Sequence, residues 1–457
     1  MAAREEQYVN TLQARARKIR EWLKDNDDKP GKTGRRRRAT SRTKWNEAMK
    51  SKIATALPMI CAALFAVVLV HCGCGQSALA GDSELQVNRT VVMAKLDDPW
   101  DLAFAPDGAM LFTEKCRGLS ARTADGTVRL LFGKAGAALE AGDFFCQGHS
   151  GMLGVALDPA FAENRHVYVY MASNAGKVKT NRVVRLTVNE AYTDVADRKD
   201  IVADIPFKRS RNWWGGAGSH SGGRLRFSPS DGYLYVTTGD NHNGLLPQDL
   251  SRLGGKVLRI DRDGKAAAGN NTPAGGDPRI YTYGHRNVQG IAFRPGTGQP
   301  FACEHGPGHS DEVTPLAAGG NCGWDPAPTK GVSCASDYCG YTSNKPDGTP
   351  TPMTDLDRFP DALKPSWNNR GVSEGMGPCV FLSGPHWKDW EGWLAVGFMR
   401  GARIELMQMD AEGMTTGTAV VADLPEQRMR SLVLGPDGAM YVVIDAGEIW
   451  RLERGGQ

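Results

Sequence analysis

A chain of 457 residues with 41% hydrophobic side chains and 55 glycines has room for one large domain, and the glycines suit a fold with many tight turns. The net charge of +4 hides two unlike parts: residues 1–80 hold 16 Lys/Arg against 7 Asp/Glu, the remainder 39 against 44. The body is therefore mildly acidic, which leaves nucleic acid without an electrostatic footing.

Residues 1–48 read as a basic extension or an over-long start, with Arg35 to Arg38 a solvated charge run. Met49 opens a compact signal peptide: Lys50 and Lys52, an apolar run over 53–70, then Ala78-Leu79-Ala80 as a small-x-small cleavage site. A cleaved signal over 49–80 leads, ahead of a membrane anchor and of lipidation at Cys72. Export to a periplasmic or extracellular space favours disulfides, with Cys334–Cys339 and Cys116–Cys146 as candidate pairs. The cysteine spacings fit no zinc site and no C-x-x-C-H haem attachment.

From residue 84 onward one unit recurs: an alternating apolar strand, a proline, a short turn, a second apolar strand. Trp100–Pro106 leads into Ala109–Phe112, Leu153–Pro159 into His166–Val169, Leu225–Pro229 into Tyr233–Val236, Ile291–Pro295 into Pro300–Ala302, and Leu432–Pro436 into Met440–Val443. Proline fixes φ and lacks an N–H, so it ends the strand, and a nearby glycine permits the reversal. The gap between Pro295 and Pro436 is about twice the others, and residues 377–398 supply a degenerate sixth copy. Six units that each need a neighbour to cover their faces predict an all-β, six-bladed propeller of four-stranded antiparallel blades over 84–457. The strand at Val87–Val92 is expected to complete the last blade and close the ring.

Polar residues beside the inner strands are the candidate chemistry. His220, in Ser219-His220-Ser221-Gly222-Gly223-Arg224, has the pKa range of a general base, and a loop histidine equally serves as a structural donor. Arg286, Asn287 and Gln289 suit an anionic, carbonyl-rich ligand or a blade-capping network. Gly306-Pro307 can present carbonyl oxygens to a hard cation such as Ca²⁺, with Asp311 and Glu312 nearby. Arg428 and Arg430, two apart on one strand, face the same way as a clamp for carboxylates or as surface charge.

Taken in order, these segments resemble the glucose/sorbosone dehydrogenase family from about residue 96 to 454. The shared motifs are Pro99-Trp100-Asp101-Leu102-Ala103-Phe104, Gly151–Pro159, His220–Leu225, Tyr283-Gly284-His285-Arg286-Asn287 with Gln289-Gly290, Glu304 with Gly306-Pro307, and Gly320-Asn321-Cys322-Gly323-Trp324. The resemblance implies a six-bladed propeller that binds pyrroloquinoline quinone (PQQ) and calcium and oxidises the anomeric carbon of sugars, passing electrons to an external acceptor. It implies His220 as general base and Arg286 as the group polarising the quinone. Asn287, Gln289, Arg428 and Arg430 become cofactor contacts, Gly306 and Pro307 become carbonyl calcium ligands, and His149 and Asp311 fall on the substrate side. Three positions depart from the family pattern: Met399 where a lysine is expected, Ser219 where an Asp or Asn would orient the base, and His149 where Gln or Glu is common. A calcium-dependent sugar lactonase and a non-catalytic carbohydrate- or protein-binding propeller are the competing readings. The lactonase would want several carboxylate or Asn ligands around the channel, not three arginines, and the binding propeller predicts no dependence on added quinone.

Overall fold

The five proline-punctuated hairpins and the degenerate sixth form the inner two strands of six blades in the computed structural model, which describes residues 83–209, 216–326 and 349–455. The innermost strands are Pro99–Phe104, Met152–Leu157, Leu225–Phe227, Val288–Phe293, Met376–Phe381 and Met429–Leu434. Each pairs antiparallel with the next strand in sequence, as in Phe104↔Met110, Leu157↔Val167 and Leu434↔Met440. Consecutive inner strands lie side by side, and the sixth returns to the first, so the sheets form a closed ring. Val87–Met93 pairs antiparallel with Glu448–Arg454 as the outer strand of blade 6. One blade is thus built from both ends of the domain.

Three blades also carry a short fifth strand in parallel on the outer edge: Leu139–Glu140 on blade 1, Gly320–Asn321 on blade 3 and Ser83–Leu85 on blade 5. These were not legible as strands, because two or three residues show no alternation.

The packing explains why no blade stands alone. Every large apolar cluster joins two neighbouring blades. Leu111, Leu131, Val167 and Val169 join blades 1 and 2, while Leu102, Phe112, Tyr441 and Val443 join blade 1 to blade 6. In His166–Ser173 every residue from Val167 onward is buried, because neighbours cover both faces of the blade. Burying such a Val or Leu contributes about 1.5–3 kcal/mol.

Cys116 and Cys146 form a disulfide with Cα atoms 5.1 Å apart. Cys303, Cys322 and Cys379 are buried free thiols. The Cys334–Cys339 pairing, the basic extension and the signal peptide lie outside the described residues. Among the described residues, no helix is long and apolar enough to cross a membrane.

Candidate active site

All six blades contribute to one cavity of about 260 Å³ at the entry ends of the inner strands, lined by residues that include Trp100, His149, His220, Asn287, Met399 and Arg430. Beneath it lies a buried ion cluster. Arg224 Nη1 is 2.7 Å from Asp101 Oδ1, Arg226 Nη1 is 2.8 Å from Asp101 Oδ2, and Ser431 Oγ donates to Asp101 Oδ1 at 2.6 Å. Arg224 also donates to the carbonyls of Gln289 (3.1 Å) and Arg430 (2.6 Å), which ties blades 1, 3, 4 and 6 together. Burial alone would raise the Asp101 carboxyl; Arg224 and Arg226 outweigh it and hold the group at about 2. The Arg224 guanidinium lies 4.1 Å from the centroid of the Trp100 ring, so this cavity wall rests on a fixed cation.

His220 precedes the inner strand of blade 3 in a left-handed conformation (φ 54°), as do Asn241 (φ 51°) and His242 (φ 56°) opposite it. Non-glycine residues held there store strain, commonly at functional sites. Gly239 makes the approach possible: a Cβ there would lie 2.1 Å from the His220 carbonyl oxygen. His220 Nδ1 sits 2.7 Å from Asp240 Oδ1. The Asp240 carboxylate also accepts from the His242 amide at 2.8 Å and the Trp324 indole Nε1 at 2.9 Å. With N–H donors converging on both oxygens, Asp240 acts as an acceptor, which puts the His220 proton on Nδ1 and makes Nε2 the basic nitrogen. Burial, followed by the positive charge of Arg286, drives the His220 pKa well below the ordinary histidine range, so the ring is neutral at pH 7.

The orienting carboxylate is therefore Asp240, not a residue at position 219. Ser219 Oγ donates to the Gly216 carbonyl at 2.8 Å and belongs to the turn. Asp240 and His242 were missed. Their signal was a polar run, Gly239-Asp240-Asn241-His242-Asn243, directly after the strand Leu234–Thr237.

On blade 4, Glu304 organises the neighbouring backbone. Its carboxylate accepts from the amides of Arg286 and Asn287 and lies 2.8 Å from His285 Nδ1. His285 is fully buried and structural. Arg286 is buried as well, and its Nη1 donates to the His305 carbonyl at 2.6 Å. Asn287 Oδ1 accepts from the Gly222 amide at 3.2 Å and Gln289 Nε2 at 2.9 Å, locking the amide so that Nδ2 is its donor toward a ligand.

Arg428 and Arg430 line the cavity together and share one carboxylate. Arg428 Nε lies 2.8 Å and Arg430 Nη2 2.9 Å from Asp445 Oδ2. Arg430 Nη1 also approaches Met399 Sδ at 3.1 Å, so Met399 occupies the wall beside the pair. His149 lines the same cavity, its pKa lowered by burial and then by Arg430.

Asp311 is placed differently. It is fully buried and absent from the cavity lining. Its carboxylate accepts from Gly306 N (2.8 Å), Ser373 Oγ (2.7 Å) and Glu374 N (2.7 Å). It fixes the turn carrying Gly306 and Pro307 and stands behind the cavity wall, 3.7 Å from Nδ1 of the lining residue His305. At that turn the Gly306 carbonyl accepts from His305 Nδ1 at 2.9 Å. Among the described residues, no cluster of three or more His, Cys, Asp or Glu side chains is placed to hold a metal.

Residues 96–451 match the family model described as Glucose / Sorbosone dehydrogenase. The chain is 30% identical to the aldose sugar dehydrogenase YliI of Escherichia coli over 374 residues, which cover 80% of this chain and 92% of that protein. It is 28% identical to quinoprotein glucose dehydrogenase B of Acinetobacter calcoaceticus over 264 residues, covering 52% of each. The PQQ-bound form of an aldose sugar dehydrogenase from Streptomyces coelicolor superposes with a TM-score of 0.60 at 26% identity, over 80% of this chain and 98% of that one.

Proposed function

This chain belongs to the glucose/sorbosone dehydrogenase family, and on that premise we propose that it is an exported, PQQ-dependent dehydrogenase that oxidises an aldose at its anomeric carbon. The observation that carries the reading is the pairing, in one cavity, of an oriented neutral base with a cationic anion-binding wall: His220 on Asp240 at one side, Arg428 and Arg430 at the other.

The residues present fit the cofactor. PQQ is a flat tricarboxylate, and the cavity offers an indole face at Trp100, amide donors at Asn287 and Gln289, and two arginines. Oxidation of an aldose to its lactone removes a hydroxyl proton together with the C1 hydrogen and its electron pair, and bound PQQ supplies the acceptor for that pair. His220 Nε2 takes the hydroxyl proton, and Asp240 stabilises the imidazolium that results. Arg428 and Arg430 would hold cofactor carboxylates in competition with Asp445. Arg286, buried beneath His305, adds the positive field that favours an anionic ligand. Gly306 and Pro307 would offer carbonyl oxygens to Ca²⁺.

Binding tests the cofactor half directly. Apoprotein incubated with PQQ and Ca²⁺ and then desalted should retain quinone absorbance, and Arg428→Ala with Arg430→Ala should lose it. Retention equal to that of an unrelated propeller would contradict the proposal.

A further inference from the structure

Beside His220 stands another of the cavity's histidines, one for which the proton-transfer chemistry above has no use. The His242 ring centroid lies 3.6 Å from that of His220, at an interplanar angle of 36°, and both rings line the cavity. Behind His242 is a buried lysine, 1% exposed: Lys208 Nζ sits 2.7 Å from His242 Nδ1. A lysine ammonium has donors and no acceptor, so that contact requires His242 Nδ1 to carry a lone pair. The proton of the neutral ring then resides on Nε2. Burial lowers the lysine pKa to about 8, which leaves the ammonium the dominant form at pH 7, and burial holds the His242 ring neutral. The two stacked rings thus carry opposite tautomers: His220 presents a basic Nε2, His242 an acidic Nε2–H.

We propose that Lys208 and His242 form a substrate-positioning pair: the lysine fixes His242 as the Nε2–H tautomer, and that N–H donates to the sugar oxygen next to the hydroxyl that His220 deprotonates. The ring oxygen and the 2-hydroxyl of an aldose both neighbour the anomeric hydroxyl, and two rings stacked this closely span no more than the width of one sugar. The sugar as acceptor rests on the function proposed above; the tautomer does not. His242 would contact substrate, and Lys208 acts through it.

Two measurements test the pair. The ring ¹⁵N resonances of His242 in the apoprotein should show an unprotonated Nδ1 and a protonated Nε2, and Lys208→Met should shift the ring toward a tautomer mixture. A protonated Nδ1 in the unmodified protein would overturn the lock. In the reconstituted enzyme, His242→Phe keeps the stacked ring and should raise KM for the aldose about fivefold to tenfold, with kcat changed far less. Lys208→Met should do the same alone and add little in the His242→Phe background. Independent, additive effects, or loss of kcat with KM unchanged, would overturn the positioning role. Should the unmodified enzyme bind PQQ yet oxidise no sugar, the functional reading fails and the sugar acceptor falls with it, while the ¹⁵N spectrum still decides the tautomer.

Discussion

His220 Nδ1 and Asp240 Oδ1 stand 2.7 Å apart across the mouth of blade 3, with the carboxylate fully buried and also bound by Trp324 and the His242 amide. The carboxylate fixes which nitrogen of His220 is basic. Removing the base in His220→Ala should lower kcat roughly 100-fold or more and leave PQQ retention intact. Asp240→Asn is the sharper variant, because an amide can present N–H to Nδ1 and reverse the tautomer. It should lower kcat by a comparable factor while the fold, followed by circular dichroism, is unchanged. Steady-state kinetics of both variants, with quinone absorbance as the binding control, check this.

The depressed pKa of His220 sets the acid side of the rate profile. A base must be unprotonated, and this one stays so well below pH 6.5. The rate kcat/KM should therefore show no fall as pH drops through 6.5, only at distinctly lower pH. An acid limb centred on 6.5 would assign the base to a solvated histidine.

The same shifts predict acid destabilisation. His220 and His242 are neutral in the folded protein, while an unfolded chain protonates both near pH 6.5. Below that pH the unfolded state binds more protons, so stability is full above about 6.5 and declines as pH falls. Each ring contributes about 1.4 kcal/mol per pH unit over that window. Denaturant titrations at pH 7 and pH 5 measure the slope, and His242→Gln should flatten it by about one ring's share.

Met399 places a thioether against Arg430. Met399→Lys adds a cation to a wall whose two arginines already share Asp445. The variant should release PQQ more slowly during dialysis, and Asp445→Asn should act in the same direction by freeing both guanidiniums. Faster release from Met399→Lys would show that the thioether contact, not charge, sets retention.

Under the cavity, among the described residues, Asp101 is the carboxylate that pairs with both Arg224 and Arg226. Asp101→Asn leaves a buried guanidinium without its counter-charge, a change that costs about 3–5 kcal/mol. Thermal unfolding should show the loss even without cofactor. Leu111→Ala, which opens a cavity between blades 1 and 2, should cost a similar amount by a different route.

The ring was legible because each blade repeats a physical instruction: alternation, proline, reversal. The closing strand was readable from its place alone: Val87–Met93 precedes the first repeat, although neither its sequence nor its exposure alternates. The cationic half of the site was visible as Arg428-x-Arg430 and Arg286-Asn287. The groups that orient the site's histidines and arginines were not. Asp240 lies 20 residues from His220, Asp445 lies 17 from Arg428, and Lys208 lies 34 from His242, separations that only blade geometry closes. Asp311 sat in the right loop, but its role as a hub for backbone amides depends on where residues 373–376 fold back.

Dye-linked dehydrogenase activity across a panel of aldoses, with apoprotein reconstituted with PQQ and Ca²⁺ and controls lacking each, tests the central claim most directly. Turnover of at least one aldose that requires PQQ is the predicted result. No turnover by protein that demonstrably retains the quinone would contradict the account.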